Sequence, residues 1–304
     1  MKAPYRHLRR GDGVAVIAPA GPTPSEQVAL VEPLFARFGL RACLYPSCHT
    51  RHPQFEFLAG DDDTRLADLH AAFADKDIAA VFALRGGWGS ARLLDRIDTA
   101  LLRANPKPLI GFSDITSLHA LRAREGLVGF HAPMPGSNLV RAGNEDDASA
   151  LFALLMQPLR AGDVFGPAPA LDAWRVPGRA SGQLIGGNLS IVASLLGTPW
   201  AWPLDEAILF LEDVSEALYR VDRLMTQLRQ AGVLARARGF VLGSFTEDED
   251  PTLLLKEHLA GLGKPVLSGW PAGHAIPNRA LPLGAQVTLD AGAVTLTLDE
   301  DVLA

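Results

Sequence analysis

Cysteine is almost missing from this chain: its 304 residues include only Cys43 and Cys48. A structural zinc site wants about four Cys or His ligands, and the neighbouring His49 and His52 add only a loose cluster. Bystander thiols in a reducing compartment are therefore expected there, rather than a metal centre or a disulfide. Charge is also sparse, at 20% of residues, below the roughly 25% of an average soluble protein. Long disordered tracts and coiled coil are poor readings of such a composition. No run of Lys or Arg exceeds two residues and the formal charge is −6, which argues against broad nucleic-acid binding or a membrane-surface role. Nor is there a stretch of about 18 apolar residues that would span a bilayer. The basic residues Lys2, Arg6, Arg9 and Arg10 ahead of Val14–Ala20 mimic a signal peptide. However, the apolar run before Pro19 is five residues long, short of the roughly 7–15 that a signal needs. A soluble, cytoplasmic protein is expected. Internal repeats and low-complexity tracts are absent.

What is present is apolar: 48% of the residues, with 29 glycines and 22 prolines to punctuate them. At roughly 150 residues per domain the length suggests two domains. In the first half, short apolar runs without period-2 polarity alternate with helical patterns. Val14–Ala18, Ile78–Leu84, Pro108–Gly111 and Leu127–Phe130 read as strands; Thr64–Asp75, Ser90–Ile97 and Thr116–Arg124 read as helices. That alternation predicts a parallel sheet covered on both faces. Thr23-Pro24-Ser25-Glu26 has capping-box spacing for a further helix closed by Gly39, with Pro33 expected to kink it. The segment FGPAPALDAWRVPGRA loses all periodicity, so the expected division is an α/β domain over 1–165, a linker over 166–177 and a β-rich domain over 178–304. In the latter, strands are expected at Ala207–Leu211, Phe240–Phe245, Pro265–Trp270, Gln286–Leu289 and Val294–Leu298. The last two flank a hairpin turn at Asp290-Ala291-Gly292. Glu216–Ala231 and Thr252–Leu262 are the two helical segments.

Ligands of an open parallel sheet bind beyond the carboxyl ends of its strands. Three such ends carry suggestive residues. Pro19-Ala20-Gly21 follows the first strand. Arg85-Gly86-Gly87-Trp88-Gly89 follows the strand Ile78–Leu84, and its glycines admit a ligand close to backbone N–H groups or simply form a turn. Ser113, in GFSDIT, sits on a strand-to-helix turn that either exposes a nucleophile or caps the helix. In the second half, Glu212-Asp213 ends a strand. A carboxylate there orients a histidine or only begins the next helix. Of eight histidines, His131 follows a strand and His274 lies in a proline-rich loop; the others read as surface or packed residues.

Together these segments resemble the LD-carboxypeptidase family. The likeness runs through APAG at Ala18–Gly21, RGGWGSARLL at Arg85–Leu94, GFSDIT at Gly111–Thr116, GGNLS at Gly186–Ser190 and GTPW at Gly197–Trp200. It continues through LFLEDVSE at Leu209–Glu216, YRVDR at Tyr219–Arg223, AGVL at Ala231–Leu234, LGSF at Leu242–Phe245, GH at Gly273–His274 and LPLGA at Leu281–Ala285. The resemblance implies a serine peptidase with nucleophile Ser113, orienting acid Glu212 and base His274. The implied oxyanion hole is made by the backbone N–H groups of Asp114 and Gly87. It implies an N-terminal parallel α/β domain plus a β-rich C-terminal domain, with no metal or organic cofactor. The implied activity is release of a terminal D-amino acid from cytoplasmic muropeptides. Arg85 and Arg279 are candidates for gripping the substrate carboxylate, with Gly86 and Trp88 lining the site. Trp88 stands where the family commonly has tyrosine, and Ala132 replaces a common glycine. Homodimers are implied by the same likeness. The family's other branch, resembling microcin C self-immunity proteins, is the rival, since it shares the triad; Trp88 and Trp200 would suit stacking on a base. A non-catalytic peptide- or sugar-binding module is the reading from another class.

Overall fold

The computed structural model describes residues 3–165, 173–246 and 248–304. Fourteen strands form two sheets among these residues. In chain order they are β1 (Gly13–Ile17), β2 (Arg41–Leu44), β3 (Ile78–Ala83), β4 (Leu109–Ile110) and β5 (Gly129–His131), then β6 (Val164–Phe165), β7 (Arg175–Val176), β8 (Arg179–Asn188), β9 (Ile208–Val214) and β10 (Gly239–Thr246), and finally β11 (Val266–Leu267), β12 (Leu281–Leu283), β13 (Gln286–Asp290) and β14 (Thr295–Leu298). The first sheet has the order β12-β5-β4-β3-β1-β2, and its strands are parallel except for β12. β1 (GVAVI) is buried along its whole length, as a strand covered on both faces must be.

The second sheet has the order β6-β14-β13-β8-β9-β10-β11-β7. Its middle, β8 to β11, is parallel, and the strands flanking it on both sides pair antiparallel. The two-part α/β and strand-rich architecture read from the sequence is the one observed.

Several elements differ from expectation for identifiable reasons. β8 begins inside the segment read as unstructured, because Gly182, Gly186 and Gly187 break its apolar pattern. These glycines are needed: a Cβ on Gly186 would collide with the Phe210 carbonyl, and one on Gly187 would stand 2.5 Å from Thr116 Oγ1. Of the expected linker 166–177, residues 166–172 lie outside the described residues, while Arg175 and Val176 form an edge strand on β11. β12 (Leu-Pro-Leu) was hidden by its proline, which a sheet tolerates at its edge. It pairs antiparallel with β5, Leu281 opposite His131, so the second half of the chain completes the first sheet.

Ser90–Arg96 is a 3-10 stretch rather than an α-helix. The helix expected after Pro24 is two short ones, Ser25–Val28 and Val31–Arg37, with Pro33 in the first turn of the second, where a missing N–H costs nothing. Pro24 rather than Thr23 is the N-cap, and no side chain closes a capping box there.

Candidate active site

Three loops at the ends of β3, β4 and β1 converge on Ser113. After β4 the chain turns sharply, and Ser113 adopts φ +62, a left-handed conformation that costs a non-glycine residue roughly 1–3 kcal/mol and persists only where its surroundings impose it. Neither Ser113 nor Asp114 caps the helix Thr116–Arg124, so the capping alternative does not describe this turn. The buried Asp114 carboxylate instead accepts a hydrogen bond from the Ser90 backbone N–H at 2.8 Å, and Ser90 Oγ donates to the Asp114 carbonyl at 2.7 Å. Burial raises the Asp114 carboxyl pKa, opposed by the hydrogen bonds that Ser90 gives the carboxylate. From behind, His119 Nε2 donates to the Gly111 carbonyl at 2.8 Å.

The glycine loop lies directly on this turn. A Cβ on Gly86 would stand 2.9 Å from Ser113 Cβ and 3.0 Å from its Oγ, so only glycine fits. Gly87 has φ +98 and Gly89 φ +133. The Gly86 carbonyl accepts from Gly21 N–H at 2.9 Å, joining the APAG segment to the same wall. Arg65, fully buried on the helix Asp62–Ala74, ties these pieces together. Its Nη1 donates to the Pro19 carbonyl at 2.5 Å and to the Gly89 carbonyl at 2.9 Å, while Nη2 pairs with Asp62. The sequence marked Arg65 only as a helical residue; a charged side chain on the buried face of that helix was the available signal.

The opposite wall comes from the second sheet. Successive side chains on β9 point to opposite faces, which separates two adjacent carboxylates. Glu212, fully buried, accepts a 2.7 Å hydrogen bond at Oε2 from His274 Nδ1. Asp213 faces away: it accepts from Asn188 Nδ2 at 2.7 Å and from Ser190 N–H and Oγ at 3.0 and 2.8 Å, anchoring the start of the helix Leu189–Ser194. Burial pushes the Glu212 carboxyl pKa up and His274 opposes it. With Nδ1–H committed to Glu212, His274 Nε2 is the basic nitrogen. The loop is held tightly: a Cβ on Gly273 would stand 2.7 Å from Glu212 Oε2, Gly273 N–H donates to Asn278 Oδ1 at 3.1 Å, and Ala275 N–H donates to Ser244 Oγ at 3.1 Å. The two walls meet at Phe112, whose ring centroid lies 4.7 Å from that of His274. Asn188 N–H donates to Thr116 Oγ1 at 3.1 Å and fastens them a second time.

Comparison with known proteins places the chain in a family. Residues 14–132 match the LD-carboxypeptidase N-terminal domain, and residues 181–289 match the LD-carboxypeptidase C-terminal domain. A murein tetrapeptide carboxypeptidase of Pseudomonas aeruginosa is 34% identical over 91% of this chain and 92% of its own length. A Bacillus subtilis protein named "Probable murein peptide carboxypeptidase" is 34% identical over 97% of this chain and 94% of its own. The chain belongs to the LD-carboxypeptidase family. Among solved structures, a muramoyltetrapeptide carboxypeptidase from Oxalobacter formigenes superposes with TM-score 0.80 at 29% identity, covering 96% of this chain and 99% of that one. The microcin C7 self-immunity protein bound to adenosine monophosphate has TM-score 0.90 with complete coverage of both chains; at 22% identity it shows a shared fold.

The remaining candidate residues separate clearly. Arg85 is exposed on the glycine loop, and its Nη1 donates to the Pro22 carbonyl at 3.1 Å. Arg279 is engaged with Asp147 at 3.2 Å, on the flank of the His274 loop. Trp88 is 42% exposed, whereas Trp200 donates to Asp95 Oδ1 at 2.6 Å. His131 is wholly buried and packs edge-on against Phe112 and Phe210. Cys48 is buried as well, with its thiol bonded to the Val16 carbonyl and its pKa pushed up to about 12 by burial, so it remains a neutral thiol. Among the described residues no helix is long and apolar enough to cross a membrane.

Proposed function

We propose that this family member is a serine-type LD-carboxypeptidase that releases terminal D-alanine from muropeptide tetrapeptides, in the cytoplasm, during cell-wall recycling. The observation that carries the reading is the 2.7 Å Glu212–His274 hydrogen bond, packed on Phe112, the residue that precedes a serine held in a strained turn. His274 Nε2 takes the Ser113 proton as Oγ attacks the amide carbonyl. Glu212 holds the imidazole tautomer and stabilises the imidazolium. The N–H groups of Asp114 and Gly87 receive the developing oxyanion. His274 then protonates the departing D-alanine amine, and water, deprotonated by the same imidazole, releases the acyl group from Ser113. No metal or organic cofactor enters this sequence. Arg85, next to the Gly86 that abuts Ser113 and with its Nη1 on the Pro22 carbonyl rather than on a carboxylate, supplies the fork for the substrate's terminal carboxylate. Arg279, already paired with Asp147, supports the His274 loop instead.

The test is incubation with purified tetrapeptide muropeptides and identification of the released amino acid with its chirality. Release of D-alanine that disappears in Ser113→Ala supports the reading; no release sinks it. Exposed Trp88 favours one second reading, a microcin-immunity-type hydrolase of aminoacyl adenylate analogues. Cleavage of such an analogue in preference to tetrapeptide would select it. Homodimer formation is proposed on family likeness alone, and sedimentation velocity decides it.

A further inference from the structure

Beside the glycine wall lies a row of aromatic rings that the proposed chemistry does not use. Phe55 and Phe57 are 42% and 52% exposed, and exposed rings of this size mark interaction surfaces when they cluster. The ring centroids of His52 and Phe55 are 4.7 Å apart and those of Phe55 and Phe57 5.8 Å, each pair near-parallel. Their turn is tied shut rather than loose. His52 Nδ1 accepts from the N–H groups of Gln54 and Phe55 at 3.1 and 3.0 Å, His52 N–H donates to the Leu58 carbonyl at 3.0 Å, and Leu58 N–H donates to the Phe55 carbonyl at 2.9 Å. A preorganised surface of this kind binds without first losing conformational entropy.

The row is continuous with the candidate active site. The position of a Cβ on Gly21 is 3.5 Å from the Phe57 carbonyl and 2.9 Å from the Gly86 carbonyl, and Gly86 in turn abuts Ser113. Two backbone layers at roughly 5 Å each put the row on the order of 10 Å from the nucleophile, the span of about three extended residues. We propose that the turn His52–Phe57, with Trp88 at its margin, is a saccharide-binding ledge that holds the N-acetylated sugar attached to the far end of the substrate peptide. This rests on the muropeptide reading: three residues lie between the scissile bond and the peptide's N-terminus, where the sugar is joined. Exposed Gln54 and Glu56 alternate with the rings and offer partners for hydroxyl and acetamide groups. An interface between copies would instead be depleted in charged residues such as Glu56 at its centre.

The test compares kcat/KM on a disaccharide-linked tetrapeptide with that on the same free tetrapeptide, for the full chain and for Phe55→Ala/Phe57→Ala. The glycosylated substrate should be preferred by about tenfold or more, and the variant should lose that preference. Free-tetrapeptide turnover should stay within about twofold, which also reports intact folding. Equal losses on both substrates, or no preference at the outset, overturn the ledge. If neither peptide is cleaved, the functional reading fails separately and the disaccharide alone is titrated. Binding that the variant loses sustains the ledge, and absence of binding overturns it. A change of oligomeric state in the variant with unchanged kinetics assigns the row to contact between copies and overturns it too. So does loss of binding to an aminoacyl adenylate analogue in place of the disaccharide.

Discussion

His131 and His274 pack against the same ring, Phe112, with centroids 5.4 and 4.7 Å away, yet they occupy opposite physical settings. His274 keeps 18% of its side chain exposed and binds a buried carboxylate. His131 is fully buried and packs against Phe112 and Phe210, neither ring nitrogen has a hydrogen-bond partner among the described residues, and burial drives its pKa well below the usual histidine value. A base needs an acid to fix its tautomer, and access to the proton it takes; the first residue has both features and the second neither. Position after a strand in sequence made them rivals, and surroundings separate them.

The sharpest way to break this contrast is to remove the groups assigned to the reaction. Ser113→Ala should lower turnover about 10⁴-fold or more, and His274→Ala about as much, with the double variant little worse because the pair acts as a unit. Steady-state rates on a tetrapeptide check this. Independent, multiplying losses would mean that His274 does not serve Ser113.

A similar contrast exists between adjacent carboxylates. Glu212→Gln should cost about 10³-fold in kcat, because an amide also stabilises the wrong imidazole tautomer. Asp213→Asn should leave kcat within about tenfold while lowering stability by about 1–3 kcal/mol, through its bonds to Asn188 and Ser190. The reverse pattern in kinetics and denaturant titration would show that the wrong side of β9 has been assigned.

The backbone wall offers a smaller effect. Gly86→Ala puts a Cβ 2.9 Å from Ser113 Cβ, so the turn must shift by several tenths of an ångström, and kcat should fall about 10- to 100-fold with a native circular dichroism spectrum. Unchanged kcat would show that the loop yields and does not position the nucleophile.

These cases also show what was legible in the sequence. β1 and β3 read correctly because buried parallel strands have no polar alternation to confuse. β8 and β12 were concealed because glycine and proline, which signal breaks locally, were demanded there by close packing on Thr116 and by a sheet edge. For the site, GFSDIT pointed to Ser113 by its turn, but the turn alone spoke more for a helix cap than for a nucleophile. Glu212 and His274 are 62 residues apart, and no spacing rule joins them; only family likeness paired them. Arg65 escaped notice because its role, binding the Pro19 and Gly89 carbonyls, exists only after three loops converge.

Acid stability sharpens the histidine comparison further. Burial lowers the His119 pKa from 6.5 to about 4, so the unfolded chain binds more protons in that interval. Stability should be fully present above about pH 6.5, and decline as pH falls toward 4 by roughly 3 kcal/mol from this residue. His131, lowered for the same reason, adds to the loss with the same sign. Urea titrations across that range measure it. A flat profile would contradict the burial of both rings.

The smallest expected effect on activity comes from His131→Leu. The side chain is close to histidine in volume and removes two buried nitrogens that have no partners among the described residues, each an uncompensated desolvation cost in the folded protein. Turnover should stay within about threefold, since Phe112 retains an apolar neighbour and His274 retains Glu212. Stability at pH 7 should be equal or higher. At pH 5 the variant should exceed the parent, because the unfolded chain no longer gains a proton there that the folded chain refuses. A hundredfold fall in kcat, with the native fold and its denaturation midpoint retained, would bring His131 into the reaction. It would also dissolve the distinction between the two histidines beside Phe112.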